Sequence, residues 1–260
     1  MKRLFSTSLI ALLAALSAYG QVLSVDYTGD MLPARYMQRI MRTLHKEVEF
    51  YGPLGLGDTV KLKLLVFKDR EDGNAYVRQF NPTVYGDRYA GVFLTKTKTA
   101  VIMGTHNLEY SCTTICHEIS HFLLDQTVPA KYMPYSLNEG LASYFGYLKV
   151  RKDGTAVEEI PEGRLGSVKT QIMLGEFDLD RYIDMNYKGF HDEDRHDSHQ
   201  SYKATNVMTA VMFEKIGEEG MRAVLRDIKE KKKLREAIEN NYPGGCKGLK
   251  DDIVRYVESK

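Results

Sequence analysis

The sequence predicts an α+β fold in two lobes, and three patterns in its 260 residues say so. Val60-Lys61-Leu62-Lys63-Leu64-Leu65-Val66-Phe67 alternates apolar and charged side chains and then turns fully apolar, as a strand entering a core does. Ala90-Gly91-Val92-Phe93-Leu94 and Thr99-Ala100-Val101-Ile102-Met103 flank a short Lys/Thr turn, the pattern of a β-hairpin. From Tyr110 to the C-terminus the apolar residues recur at helical spacing, with loops between. A mixed α/β lobe over 21–125 and a helical lobe over 126–260 follow from that order.

The elements come in this sequence. Lys2 and Arg3 precede the apolar run Leu9–Leu16, with the small residues Ala18 and Gly20 ahead of Gln21. This is the pattern of a cleaved export signal over residues 1–20, and the run is too short to span a membrane comfortably. Between Leu32 and Tyr51, the residues Tyr36, Met37, Ile40, Met41, Leu44 and Val48 share one helical stripe, which Gly52-Pro53 ends. The strand Val60–Phe67 is followed by a turn over Asp69–Gly73 and a short helix to Phe80, broken by Asn81-Pro82. In the hairpin that follows, Lys96 and Lys98 suit the protection of a sheet edge. Lys229–Lys233, which reads KEKKK, suits a solvated helix face.

Composition narrows the function. A formal net charge of +1, falling to −1 when Lys2 and Arg3 leave with the signal, gives no reason to expect nucleic acid as a partner. No second apolar segment is long enough to cross a bilayer, so no stable membrane insertion is expected after signal cleavage. Three cysteines, Cys112, Cys116 and Cys246, are few for a disulfide scaffold. The four-residue spacing of the first two strains a mutual bridge, while a bridge to Cys246 stays open.

The chemistry concentrates in Cys116-His117-Glu118-Ile119-Ser120-His121-Phe122. On a helix His117 and His121 lie one turn apart on one face, and Glu118 projects beside them. That spacing brings two imidazoles to one ion and leaves the carboxylate to handle a water. Chance alone writes HExxH in on the order of one per cent of chains this long, so a second motif is needed. Ser136-Leu137-Asn138-Glu139-Gly140-Leu141-Ala142-Ser143-Tyr144-Phe145 supplies it: Leu137, Leu141, Tyr144, Phe145 and Leu148 recur at helical spacing, with Glu139 among them. A carboxylate at a core position is costly unless it is paired or binds metal. Two histidines and one glutamate leave a fourth position open, as catalytic zinc sites do.

Together HEISH and NEGLASYF resemble the gluzincin zinc metallopeptidases, nearest to the aminopeptidase N branch and its peptidase-MA-like relatives. The resemblance runs over roughly residues 60 to 240 and is strongest from 110 to 148. It implies a zincin-like fold, with an edge hairpin and an active-site helix in the first lobe. It also implies His117, His121 and Glu139 as Zn2+ ligands, Glu118 as general base, and Asn138 orienting His121. The implied mechanism has zinc acidify a water and polarise the scissile carbonyl, while Glu118 moves the proton to the leaving amine. Tyr202 is the first candidate to stabilise the oxyanion and His199 the second; both belong to Ser198–Ala204, which begins a late helix. The alternative for each is that it caps or packs that helix. One strand of the hairpin should bind substrate backbone by strand addition.

The sequence departs from that family in three ways. Seventeen residues separate His121 from Glu139, one fewer than in aminopeptidase N relatives. The GxMEN segment that holds a free amino terminus is absent, and Val101-Ile102-Met103-Gly104-Thr105 stands in its region. The large accessory domains are missing as well. Gly189–Asp197, dense in histidine and acid, suits a solvated rim, with a second metal site as the alternative. The expectation is an exported, periplasmic or extracellular, zinc-dependent peptidase acting on peptides or proteins. The competing expectations are a non-catalytic zinc-stabilised binding module of the cell envelope and a zinc hydrolase of a non-peptide amide.

Overall fold

The computed structural model describes residues 10–16, 20–80, 89–196 and 199–260. Expectations for Lys2, Arg3, Leu9 and Ala18 in the leader, for the Asn81-Pro82 break, and for Asp197 and Ser198 lie outside the described residues. Helices and a small mixed sheet make an α+β protein, and the chain divides into two compact units. The first comprises Met1–Gln126 and Leu148–Val157; the second comprises Thr127–Tyr147 and Glu158–Lys260.

The first unit is built on a five-stranded sheet of order β1-β2-β3-β5-β4, with β1 Ile10–Leu16, β2 Val22–Gly29, β3 Thr59–Phe67, β4 Gly91–Leu94 and β5 Thr99–Met103. β2, β3 and β5 run parallel; β1 and β4 pair antiparallel at the two ends of the order. Leu62, Leu64 and Val66 of β3 are buried while Lys61 and Lys63 are exposed, so the alternation read from sequence is the alternation of the pleat. The hairpin is present, with Lys98 at its turn in the left-handed region (φ 49°) and ion-paired to Asp125.

Two strands of this sheet escaped the sequence reading. β2 buries Leu23, Val25 and Tyr27. β1 is the apolar run of the expected leader, paired with β2 from Ile10↔Thr28 to Leu16↔Val22. An apolar segment next to an open sheet edge satisfies its backbone by joining it.

Between β2 and β3 runs α1 Ala34–Tyr51, where the Pro33 carbonyl accepts from the first-turn N–H groups of Tyr36 and Met37. Met37, Ile40, Leu44 and Val48 are buried as the stripe predicts, while Tyr36 and Met41 are half-buried. A single 3-10 turn, Gly52–Leu54, ends it. α2 Arg70–Arg78 already begins where a turn over Asp69–Gly73 was expected, because Asp69 is the extended residue before the helix. After β5 comes α3 Leu108–Thr127, the helix that carries the histidine motif.

The second unit is mainly helical: α4 Tyr135–Tyr147, α5 Glu162–Leu174, α6 Leu179–Asp184, α7 Tyr187–His196, α8 Gln200–Lys229, α9 Leu234–Asn241 and α10 Gly245–Glu258. α8 is its spine, burying Ala204, Val207, Met208, Val211 and Met212, and it breaks helical geometry at Gly217 (φ 63°). The expectation of helices alone beyond Tyr110 is corrected by a hairpin of β6 Leu148–Val150 and β7 Ala156–Glu158. Leu148 is therefore a strand residue, and its turn is tied by Asp153 Oδ1, which accepts from the Thr155 N–H and hydroxyl. Gly189 to His196 is helix rather than a loop rim. Lys229–Lys233 is the end of α8 and the connection to α9, with Lys231 at φ 73° and Lys232 bonded to Asp227, rather than one helix face. No described helix is long and apolar enough to cross a membrane.

Candidate metal centre

On α3 the side chain of Asn107, just before the helix, accepts from the Tyr110 N–H (3.0 Å) and so caps its first turn. Ile115, Ile119, Phe122 and Leu123 bury one side of the helix and fix its rotation. His117 and His121 are half-buried, with ring planes at 88° and Nε2 atoms 3.1 Å apart. Two nitrogens bound to one tetrahedral ion at about 2.0–2.1 Å each stand roughly 3.3 Å apart. The imidazole pair thus fits a zinc ion in spacing and in donor type.

Glu118, next along the chain, is buried at 5% exposure. The strand β4 begins directly against it. A Cβ on Gly91 would lie 2.8 Å from Glu118 Oε1, 2.9 Å from Glu118 Cγ and 2.6 Å from Thr114 Cγ2. Only a residue without a side chain lets the backbone approach the carboxylate this closely. In the sheet β4 is outermost, whereas β5 is paired on both sides by β3 and β4. Of the two hairpin strands, β4 is the one with a free edge among the described residues.

Behind the histidines, α3 packs a polar row against α1. Tyr51 and Ser120 share a hydrogen bond (2.9 Å), and Thr43 bonds the Cys116 side chain. Between these pairs sits Glu47, fully buried, with neither carboxyl oxygen hydrogen-bonded among the described residues. Burial pushes its carboxyl well above the usual range, so it is held neutral. Burial also drives the thiol of Cys116 well up and that of Cys112 to about 11; all three cysteines, Cys246 included, are free and buried.

Glu139 belongs to the second unit, on α4, and is likewise buried at 5% exposure. Its neighbour Gly140 is where α4 meets α8: a Cβ there would stand 2.1 Å from Thr209 Oγ1 and 2.8 Å from the Thr205 carbonyl oxygen. Asn138 is half-buried, and its N–H donates to the Pro134 carbonyl (3.0 Å) in the first turn. One turn before Glu139, the Tyr135 hydroxyl donates to the Glu139 carboxylate. Burial, and then the charge of Glu139, raises the Tyr135 phenol far above its ordinary value, so it stays a donor.

Tyr202 lies in the first turn of α8, half-buried, its ring 4.8 Å from that of Phe190. Arg164 fixes the turn by donating to the Tyr202 carbonyl (3.1 Å) and to Asn206 Oδ1 (3.3 Å). Asn206 in turn donates to Glu158 (2.7 Å), whose carboxyl is pushed up to about 8 by burial against the pull of Asn206 and Arg164. His199 is the exposed residue preceding α8, at φ 66°, with no capping bond from its side chain. Its ring lies 5.9 Å from that of Tyr202.

Of the residues singled out from sequence, His117, Glu118 and His121 share α3, Asn138 and Glu139 share α4, and His199 and Tyr202 stand together at the start of α8. Tyr135 and Gly91 were missed. The signals were there: a tyrosine four residues before a buried glutamate, and a glycine inside a strand pattern. No protein-family model matches the chain, and no curated protein matches it either.

Proposed function

We propose that the protein is an exported zinc-dependent peptidase in which His117, His121 and Glu139, a group able to hold a metal ion, share one zinc. The observation that carries this reading is the imidazole pair of α3, its Nε2 atoms 3.1 Å apart, with the buried carboxylate of Glu118 beside it. Three protein ligands leave a position open for chemistry. When bound, zinc would lower the pKa of a water toward neutrality and polarise a carbonyl. Glu118 accepts that water's proton at its carboxylate and returns it to the leaving amine. Tyr202 donates to the developing oxyanion, its ring steadied by Phe190 and its backbone by Arg164; His199 is the alternative donor. Asn138 orients His121.

In this reading β4 receives the substrate backbone by strand addition, because its outer edge is free among the described residues and its first residue touches the base. The zincin-like character of the fold and the gluzincin type of the site belong to the same proposal. So do a peptide or protein substrate, no nucleic-acid partner, and no stable membrane insertion after the leader is cut. The proposed periplasmic or extracellular location rests on the pattern of residues 1–20.

The test combines metal analysis of the purified protein with cleavage of casein and a peptide library. Zinc bound in equimolar amount is expected, with cleavage that Glu118→Gln reduces at least about a hundredfold while zinc stays bound. Full cleavage by the Gln variant would remove Glu118 from its role. A protein that takes up no zinc would remove the centre itself.

A further inference from the structure

The ring of Tyr135 is held by two aromatic rings of α7. It stands edge-on to Phe190 (centroids 4.9 Å, 74°) and to Tyr187 (5.1 Å, 83°), and Phe190 is fully buried. Phe190 also meets Tyr202 edge-on at 81°, so Tyr135, Phe190 and Tyr202 belong to one aromatic cluster. A ring wedged this way has little rotational freedom, and the direction of its hydroxyl is set before any ligand arrives. That hydroxyl donates to the carboxylate of Glu139, one helical turn further along α4.

We infer that Tyr135 is a positioning residue for the metal: it engages one oxygen of Glu139 and thereby presents the other to zinc. The inference rests on the proposed zinc centre and deepens it. A carboxylate with two free oxygens can rotate or bind an ion through both. One held by a fixed phenol offers a single oxygen in one direction, which is how outer partners tune a metal ligand. The hydrogen bond lies wholly within α4, and the clamp is made by α7 of the same unit. Glu139 is thus aimed by its own unit.

The experiment compares the wild type, Tyr135→Phe and Phe190→Leu as full-length proteins. It reads zinc affinity by competition with a chromophoric chelator, the visible absorption of the cobalt(II) form, and the urea midpoint of the metal-free form. Tyr135→Phe keeps the wedged ring and removes only the donor. It is expected to bind zinc about ten- to a hundredfold more weakly, with an altered cobalt spectrum and an unchanged metal-free midpoint. Phe190→Leu keeps the donor and loosens the clamp, so a smaller loss of affinity is expected. Wild-type affinity and spectrum in Tyr135→Phe overturn the inference while leaving the zinc centre standing. A metal-free Tyr135→Phe protein that is unfolded also overturns it, because the hydroxyl then serves the fold. A wild type that binds no zinc overturns both.

Discussion

Gly91 and Gly140 each occupy a point where a single added carbon meets a close neighbour, and the neighbours differ in what they can do about it. At Gly91 the obstacle includes the tip of a side chain, Glu118 Oε1, 2.8 Å from the position of a Cβ. Gly91→Ala is therefore expected to leave the fold and zinc uptake intact while displacing the base. A misplacement of about an ångström at a reacting group can lower the rate on the order of a hundredfold. Measured kcat/KM beside metal content checks this; an Ala variant with wild-type turnover would show that Glu118 yields without loss. At Gly140 one obstacle is backbone, the Thr205 carbonyl oxygen at 2.8 Å. Here the two helices must part, and Gly140→Ala should lower stability by about 1–3 kcal/mol in urea denaturation.

Among the elements, the pair α1–α3 is the least ordinary, because its contact row is polar on both sides and has at its centre a carboxyl with no hydrogen bond among the described residues. Glu47 is neutral in the fold and ionised in the unfolded chain above its ordinary value of 4.5. Above that pH the native state holds a proton the unfolded chain has released, so stability falls as pH rises, by up to about 1.4 kcal/mol per pH unit for one group. Glu158 acts in the same direction from 4.5 until its folded value of about 8. The metal-free protein should therefore unfold more readily in urea at about pH 8 than at about pH 5, and Glu47→Met should flatten that slope while adding about 1–3 kcal/mol. A slope unchanged in the Met variant would show that Glu47 is not the group responsible. The amphipathic stripe of α1 was legible through its apolar positions, yet Thr43, Glu47 and Tyr51 on the same buried face were not, since a polar residue in a helix pattern reads as solvent-facing. β3 was legible because its alternation spans several residues, and the hairpin because two apolar runs flank a Lys/Thr turn. β6 and β7 have three residues each, too few to show a period. In the site, His117, Glu118, His121 and Glu139 stood out because motif and spacing name them. Tyr135 belongs to no motif, and its spacing of four residues from Glu139 gains meaning from packing against α7.

Across the whole molecule, the three cysteines stay as thiols in the interior, at 1%, 4% and 8% exposure for Cys112, Cys116 and Cys246. Burial raises that of Cys246 to about 12, so none is poised as a thiolate. Ellman's reagent should find no rapidly reacting thiol in the native protein and three after denaturation; fewer than three would reveal a bridge. The strand β1 carries a different consequence. On the export reading, the segment that a signal peptidase would remove is also the partner that pairs with the backbone of β2 from Val22 to Thr28. The order of events then matters: a chain cut before its sheet assembles folds with β2 as a bare margin, while a chain that folds first must peel away a finished strand to be cut. The two routes end in the same covalent product. They differ in whether the margin is ever covered, and a bare margin of seven residues is a place where a second chain can add itself.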